Sequence, residues 1–330
     1  MTDLPFVGEA APPPPPPGAT AAVTVRGLTK RYGSLHAVDH LDLDVPRGGV
    51  FGLVGPNGAG KTTTMLATVT LLRPDEGTID VLGHDPMTQP REVRRRVGYV
   101  PDTFGLYDGL TCTEYLDFFA HAYEVPREHR AEQVNALLEL VELSHKADTD
   151  VAGLSRGMQQ RLSLARGLVH DPPVLVADEP ASGLDPRARV ELREIVKELA
   201  KQGVTIVISS HILAELDELC DRVAIIEAGK VLAQGTAEEI RGAVQSAHTV
   251  TVRVLGGDDA LAHAAEVAGA AGVLVDLVEG RLRCEVAGGE DGAADLLAAL
   301  VAAGIRVADF REDRGGLERL FLSVTQGVQR

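Results

Sequence analysis

The run Gly55-Pro56-Asn57-Gly58-Ala59-Gly60-Lys61-Thr62-Thr63 sets glycines, one lysine and two hydroxyls at the spacing G-x-x-x-x-G-K-[ST]. Glycines let successive backbone N–H groups turn inward at anionic oxygens, and a helix starting at the lysine adds about half a positive charge from its N-terminal end. Lys61 is placed to reach the β- and γ-phosphates of a nucleoside triphosphate, and the Thr62 hydroxyl to ligate Mg2+. A second chemical group follows far downstream, where the apolar run Val174-Leu175-Val176-Ala177 ends in Asp178-Glu179. Carboxylates at a strand end suit two tasks: Asp178 holds the metal, directly or through water, and Glu179 orients the attacking water or takes its proton as general base.

These residues need a scaffold, and the hydrophobic pattern supplies one. Val50-Phe51-Gly52-Leu53-Val54 is a short apolar run suited to a buried strand, and residues 62–72 have helix length. The runs 174–177 and 204–208 are continuously apolar, as expected of strands buried on both faces of a parallel sheet. From about residue 22 to 234 such runs alternate with helical segments, which predicts an α/β nucleotide-binding domain with a mostly parallel sheet. Between about residues 103 and 165 the strand signal disappears, and the stretch reads as helices inserted into that domain. Within it Tyr115, Phe118, Phe119 and Tyr123 fall at helical spacing on one face, the pattern of a small helical core.

The ends differ in composition. Residues 1–21 contain six consecutive prolines, Pro12 to Pro17, and are expected to form an extended tail, with regular structure beginning near Ala22 and a charged turn at Lys30-Arg31-Tyr32-Gly33. After about residue 242 the chain becomes rich in Ala, Val and Gly, and strands over 249–254, 273–278, 281–286 and 305–310 with helices over 260–268 and 293–303 give the order β-α-β-β-α-β. That order predicts a small α+β, ferredoxin-like accessory domain over 243–330, closed by a last helix from about Leu317.

With 330 residues, 45% of them hydrophobic, the chain can bury a large core and is expected to divide into two domains. Its net charge of -16 argues against a nucleic-acid partner. ATP is not excluded, because screening over about 8 Å leaves the local field of Lys61 in control. Cys112, Cys220 and Cys284 lack metal-ligand spacing and are expected to be free thiols in a reducing compartment. The N-terminus lacks a signal peptide, and no apolar stretch reaches the roughly 20 residues that cross a bilayer, so a cytoplasmic location is expected and any membrane role is expected to come through a partner.

The segment Leu154-Ser155-Arg156-Gly157-Met158-Gln159-Gln160 is similar to the signature of ABC-type ATPases, whose usual core is Leu-Ser-Gly-Gly-Gln. Ser182-Gly183-Leu184-Asp185 is similar to that family's D-loop, His211 after Ser209-Ser210 to its switch histidine, and Tyr32 to the aromatic residue on which adenine stacks. The resemblance covers about residues 22–240 and is narrower still to the ATP-binding subunits of drug-, polysaccharide- and lipid-exporting ABC systems with separate membrane subunits. It implies ATP and Mg2+ as ligands and catalytic roles for Glu179 and His211. Contacts from Ser155, Gly157 and Asp185 are implied to complete the site of a neighbouring copy or paralogue. It also implies an integral membrane permease as partner, docked near 102–119, and a peripheral place on the inner face of the membrane. Asp102 stands where the family has its Q-loop glutamine, a metal or water contact, and is one methylene shorter with a negative charge. Two alternatives stay open on the sequence: a soluble ABC ATPase acting on ribosomes or DNA, and a regulatory nucleotide-binding module with little turnover.

Overall fold

The computed structural model describes residues 21–212, 216, 219–236, 239–240, 248–270, 273–278, 281–286 and 289–312. The proline run and the helix expected from Leu317 lie outside the described residues. The chain divides into two compact units after Ala237.

The first unit begins with β1 (Ala21–Tyr32), β2 (Leu35–Pro46) and β3 (Val50–Val54), followed by α1 (Lys61–Thr68) and β4 (Glu76–Val81). Strands β2, β1 and β4 form an antiparallel sheet in that order. Of the expected turn Lys30-Arg31-Tyr32-Gly33, Gly33 lies in the turn with φ 62, whereas Lys30 to Tyr32 are the end of β1, paired with β2 through Lys30↔Val38 and Tyr32↔Leu35. Its charges do not prevent pairing because they sit at the rim of the hairpin, where Lys30 and Arg31 reach Asp75 and Glu76 at 3.1 and 2.7 Å. Helix α1 ends earlier than its hydrophobic pattern suggests. Thr70 has φ 68, in the left-handed region, and Leu71 N–H closes the turn on Leu66 O at 2.9 Å.

Next come α2 (Pro90–Arg94), β5 (Val97–Val100), α3 (Cys112–Ala122), α4 (Arg127–Leu140), α5 (Arg156–Gly167), β6 (Val174–Ala177), α6 (Pro186–Lys201), β7 (Thr205–Ser210), β8 (Arg222–Glu227) and β9 (Lys230–Gly235). The main sheet has the order β5-β6-β7-β3-β8-β9, with every pair parallel except β8–β9. Strands β3, β6 and β7 are buried along their whole length, which is why β3, β6 and the centre of β7 are apolar without alternation. The main chain of β5 runs hard against the end of α5: a Cβ on Gly98 would stand 2.0 Å from Gly167 O, so only glycine fits there.

The inserted helices start cleanly. Thr111 accepts a hydrogen bond from Glu114 N–H at 3.2 Å and donates its own N–H to Glu114 Oε2 at 2.8 Å, a reciprocal cap at the head of α3. The aromatic face predicted for α3 divides. Tyr115 is fully buried and Phe119 half-buried, whereas Phe118 is 50% exposed, because the buried stripe is centred on Cys112, Leu116 and Ala120 and leaves Phe118 at its margin. Tyr123 lies just past the helix and stacks on His170, with ring centroids 3.9 Å apart and planes 3° from parallel.

The second unit comprises β10 (His248–Val254), α7 (Gly257–Ala270), β11 (Leu274–Val278), β12 (Arg281–Val286), α8 (Gly289–Ala302) and β13 (Val307–Glu312). Its antiparallel sheet has the order β11-β12-β10-β13. This is the split βαβ arrangement expected from the element order. Val250, Val252, Leu282 and Cys284 pack with Ala264, Ala268, Leu296 and Leu300 of the helices. Burial pushes the Cys284 thiol up to about 11, and the three cysteines are unpaired. Among the described residues no helix is long and apolar enough to cross a membrane.

Burial lowers the pKa of His170 from 6.5 to about 4, so the folded ring stays neutral where the unfolded one takes up a proton. The unfolded state then binds more protons between those two values, and stability falls as pH drops through that window. We expect His170→Phe, which can keep the stack on Tyr123, to lose less stability than wild type between pH 7 and pH 4, measured as the shift in urea midpoint. An identical pH dependence in both proteins would contradict this account.

Candidate functional site

Parallel pairing brings the chemistry together. The register Val54↔Ser210 and Ala177↔Ile208 lines up the C-terminal ends of β3, β6 and β7, and the next residues along each strand are Gly55, Asp178 and His211. In open parallel sheets this edge is where ligands bind, since loops leaving adjacent strands can reach a common point.

The loop after β3 is held on three sides. A Cβ on Gly55 would meet Ile226 O at 2.2 Å, and one on Gly60, whose φ is 105, would meet Ala37 O at 2.6 Å. Both positions therefore exclude any side chain. Gly229 N–H donates to Ala59 O at 3.0 Å and Asp39 N–H to Gly229 O at 2.9 Å, which ties the loop to the β8–β9 turn and to β2. Asp39 is drawn well below the usual carboxylate range by His40 and Lys230, and Lys230 lies 3.0 Å from it. The cradle residues Asn57 and Gly58 are exposed at its mouth, Pro56 and Thr63 are half-buried, and Thr62 is exposed. Gly60 caps α1 without any side-chain hydrogen bond, so no capping side chain occupies the first N–H groups of the helix, as an anion site requires.

Lys61 is buried at 5% exposure, and its Nζ donates to Gly55 O at 2.6 Å and Pro56 O at 3.2 Å. It also faces Glu179 Oε1 at 3.3 Å. That carboxylate oxygen is buried and has no hydrogen-bond partner, while Glu179 Oε2 accepts from His211 Nδ1 at 2.8 Å. Asp178 is 2% exposed and accepts a 2.5 Å hydrogen bond from the Ser209 hydroxyl, which in turn accepts Glu179 N–H at 2.8 Å. Glu179 has φ 48, a costly conformation for a side chain of its size, and the Ser209 bond helps to hold it there. Ser209 belongs to none of the sequence motifs; the signal for it is a pair of serines closing an otherwise apolar strand, where a buried hydroxyl needs a partner. The phenol of Tyr99 is pushed up to about 12 by burial and by the negative charge of Asp178, with a smaller push from Asp102.

Other sequence candidates lie apart from this cluster. Tyr32 is 52% exposed at the hairpin end of β1, with Lys30 Nζ 5.7 Å from its ring centre. Asp102 is exposed beyond the end of β5, and no described hydrogen bond or ion pair joins it to Lys61, Thr62 or Asp178. Ser155 caps α5 by accepting from Met158 N–H at 3.4 Å, and Asp185 caps α6 by accepting from Ala188 N–H at 2.9 Å. Gly157 brings those two helix starts together, since a Cβ there would stand 2.9 Å from Ala188 Cβ. Its visible task within the chain is thus helix packing. No described contact links 155–157 to the cradle.

Carboxylate and hydroxyl oxygens beside a phosphate cradle suit a small hard cation that keeps substrate and water among its ligands. Among the described residues no group of three or more His, Cys, Asp or Glu side chains could hold a metal unaided. A glycine-shaped loop between β3 and α1, a buried lysine and paired carboxylates at the end of β6 define a P-loop nucleoside-triphosphatase.

Comparison narrows that class. Residues 38–182 match the family described as ABC transporter. A daunorubicin resistance ATP-binding protein, DrrA3, of Streptomyces coeruleorubidus is 38% identical over 316 residues, spanning 93% of this chain and 96% of its own. A Nod factor export ATP-binding protein I of Ralstonia nicotianae is 42% identical over 229 residues, 69% of this chain and 71% of its own. Among solved structures, a dimeric post-hydrolysis state of the ATP-binding cassette MJ0796 bound to ADP and Pi superposes with a TM-score of 0.60 at 25% identity, covering 65% of this chain and 98% of that one. The chain belongs to the ATP-binding subunits of ABC transporters. It binds nucleotide and is an ATP-hydrolysing subunit of an ATP-driven transporter, which leaves the soluble ABC ATPase and the low-turnover module without support.

The Ser209 relay has a measurable weight. Ser209→Ala leaves the part-buried Glu179 N–H without its partner and Asp178 without its hydroxyl donor, and we expect a stability loss of about 1–3 kcal/mol in urea unfolding. A variant as stable as wild type would show that the relay holds nothing.

Proposed function

We propose that two copies of this chain, or one copy and a paralogous ATPase, close head to tail around ATP and drive an integral membrane permease that exports its cargo. One observation carries this reading. Lys61, Asp178, Glu179 and His211 meet at one sheet edge, whereas Ser155, which caps the start of α5, has no described contact with any of these four. The chain thus holds two halves of a site that a second copy can join, and a symmetric pair uses the same two surfaces twice. The dimeric cassette with ADP and Pi supports this arrangement by likeness.

In this reading the backbone of Gly55 to Thr63 binds the triphosphate, and Lys61 exchanges its carbonyl partners Gly55 and Pro56 for phosphate oxygens. Thr62 and Asp178 would hold Mg2+, which supplies charge neutralisation on the phosphates when bound. Asp102 adds a metal or water contact, and Tyr32 stacks on adenine. Oε1 of Glu179, which faces Lys61 but accepts no hydrogen bond, takes the proton of the attacking water, and His211 fixes the other oxygen. Ser155, the amides near Gly157, and Asp185 complete the neighbour's site. Residues 22–242 form the ATP-binding domain and 243–330 an accessory domain behind a tail at 1–21. The subunit sits on the inner face of the membrane, held there by the permease. Relatives named for daunorubicin resistance and Nod factor export support an exporter whose cargo is a drug, lipid or polysaccharide.

Glu179→Gln is expected to keep ATP binding, to lose hydrolysis by about 10²- to 10⁴-fold, and to accumulate an ATP-bound dimer in size-exclusion chromatography with light scattering. Wild-type turnover in that variant would remove Glu179 from its role. Lys61→Ala should instead weaken nucleotide binding itself by at least about tenfold, because it deletes a charge-assisted phosphate contact; unchanged titration with a fluorescent ATP analogue would contradict this. Asp102→Gln should preserve or raise ATPase activity, and a severe loss would give the carboxylate a role of its own. Co-purification of a hydrophobic membrane protein with the tagged chain tests the partner, and its absence from solubilised membranes counts against export.

A further inference from the structure

Arg156 stands one residue after Ser155, at the first position of α5, where the helix dipole already favours negative charge. A cation there gains nothing from its own helix. Its side chain leaves the helix and makes three contacts elsewhere. Nη2 donates to Ser182 O at 3.2 Å. The guanidinium lies over Gly183, where a Cβ would come within 2.9 Å of it. It also faces the ring of Phe104, with Cζ 5.5 Å from the centroid. Phe104 is itself fixed from behind, because Arg166 at the other end of α5 donates to Phe104 O at 3.1 Å and also to Tyr115 Oη at 3.4 Å and Tyr99 O at 3.5 Å.

We propose that Arg156 is a positioning residue whose planar guanidinium ties the start of α5, and with it Ser155, to the Ser182–Asp185 turn and to the segment after Asp102. The proposal rests on the reading that Ser155 completes a neighbour's site. The segment after Asp102 is thereby joined to two helix starts already packed through Gly157 and Ala188, and the three present one surface to the second copy. The shape of the group matters as much as its charge. A guanidinium can stack on an aromatic ring with its face and donate in its plane at the same time, which an ammonium cannot do. A pull on the segment around Phe104 therefore reaches Ser155 through two side chains, without passing through the main sheet.

The test uses the full chain in the Glu179→Gln background, with Arg156→Gln, Arg156→Lys and Phe104→Leu, singly and combined. Three readouts are taken: affinity for a fluorescent ATP analogue under monomeric conditions, the ATP concentration that half-saturates dimer formation, and amide hydrogen exchange at 155–158 and 182–185. We expect Arg156→Gln to leave monomer nucleotide affinity within about twofold, to raise the dimerisation midpoint about tenfold, and to speed exchange in both segments. Lys should rescue little. Arg156→Gln in the Phe104→Leu protein should add less than it does alone, since the two groups act through one contact. Unchanged exchange, full rescue by Lys or strict additivity with Phe104→Leu would overturn the proposal. If exchange responds as expected but no variant, including the Glu179→Gln parent, dimerises with ATP, the tie exists while the head-to-tail reading fails. If the parent dimerises and Arg156→Gln dimerises equally well, the proposal fails and the reading stands.

Discussion

Everything at the nucleotide edge depends on the parallel pairing of β7 with both β3 and β6. Because parallel neighbours point the same way, their C-terminal ends emerge side by side, and residues that are remote in sequence leave the sheet within reach of one another. Gly55, Asp178 and His211 are each the first residue past a strand. A slip of one residue in either pairing would turn each buried side chain to the opposite face and pull the carboxylates out of line with the cradle. The burial of these mostly apolar strands and the ladder from Val50↔Ile206 to Val54↔Ser210 hold that register. The site thus inherits its precision from the most deeply buried part of the molecule rather than from its loops.

Charge at this edge is arranged economically. One lysine faces a carboxylate and donates to two carbonyls of its own loop, and one serine hydroxyl connects Asp178 to the backbone of Glu179. The groups are close enough that substituting any one changes the surroundings of the next, so effects of single substitutions here should not be summed. The overall acidity of the chain has little bearing on the cradle, whose positive character comes from Lys61 and from the uncapped start of α1.

Much of this architecture is legible in the amino-acid order. The cradle, the carboxylate pair and the buried strands each leave a dense local signal, since that glycine spacing and those unbroken apolar runs suit few backbone arrangements besides a phosphate loop and a buried parallel sheet. The βαββαβ order of the second unit is equally legible, because each element there keeps its own periodicity. Contacts between remote residues are not. The end of β1 resembles a turn because Lys30 and Arg31 are charged, and the acidic Asp75 and Glu76 across from them make a strand acceptable. Phe118 resembles a core residue because helical spacing fixes a face but not its width. Arg166 carries no local mark and Ser209 only the serine pair at a strand end, since their importance lies in what they touch.

The helical insert is rooted at two neighbouring points. The chain leaves the main sheet after Val100 and returns to it at Val174, on strands that are hydrogen-bonded to each other from Val97↔Val174 to Val100↔Ala177. Between those points the tight contact of Gly98 with Gly167 and the bonds of Arg166 brace it against the sheet. A load on α3 therefore meets β5 by way of Arg166, which joins Phe104, Tyr115 and Tyr99, before it reaches the rest of the sheet.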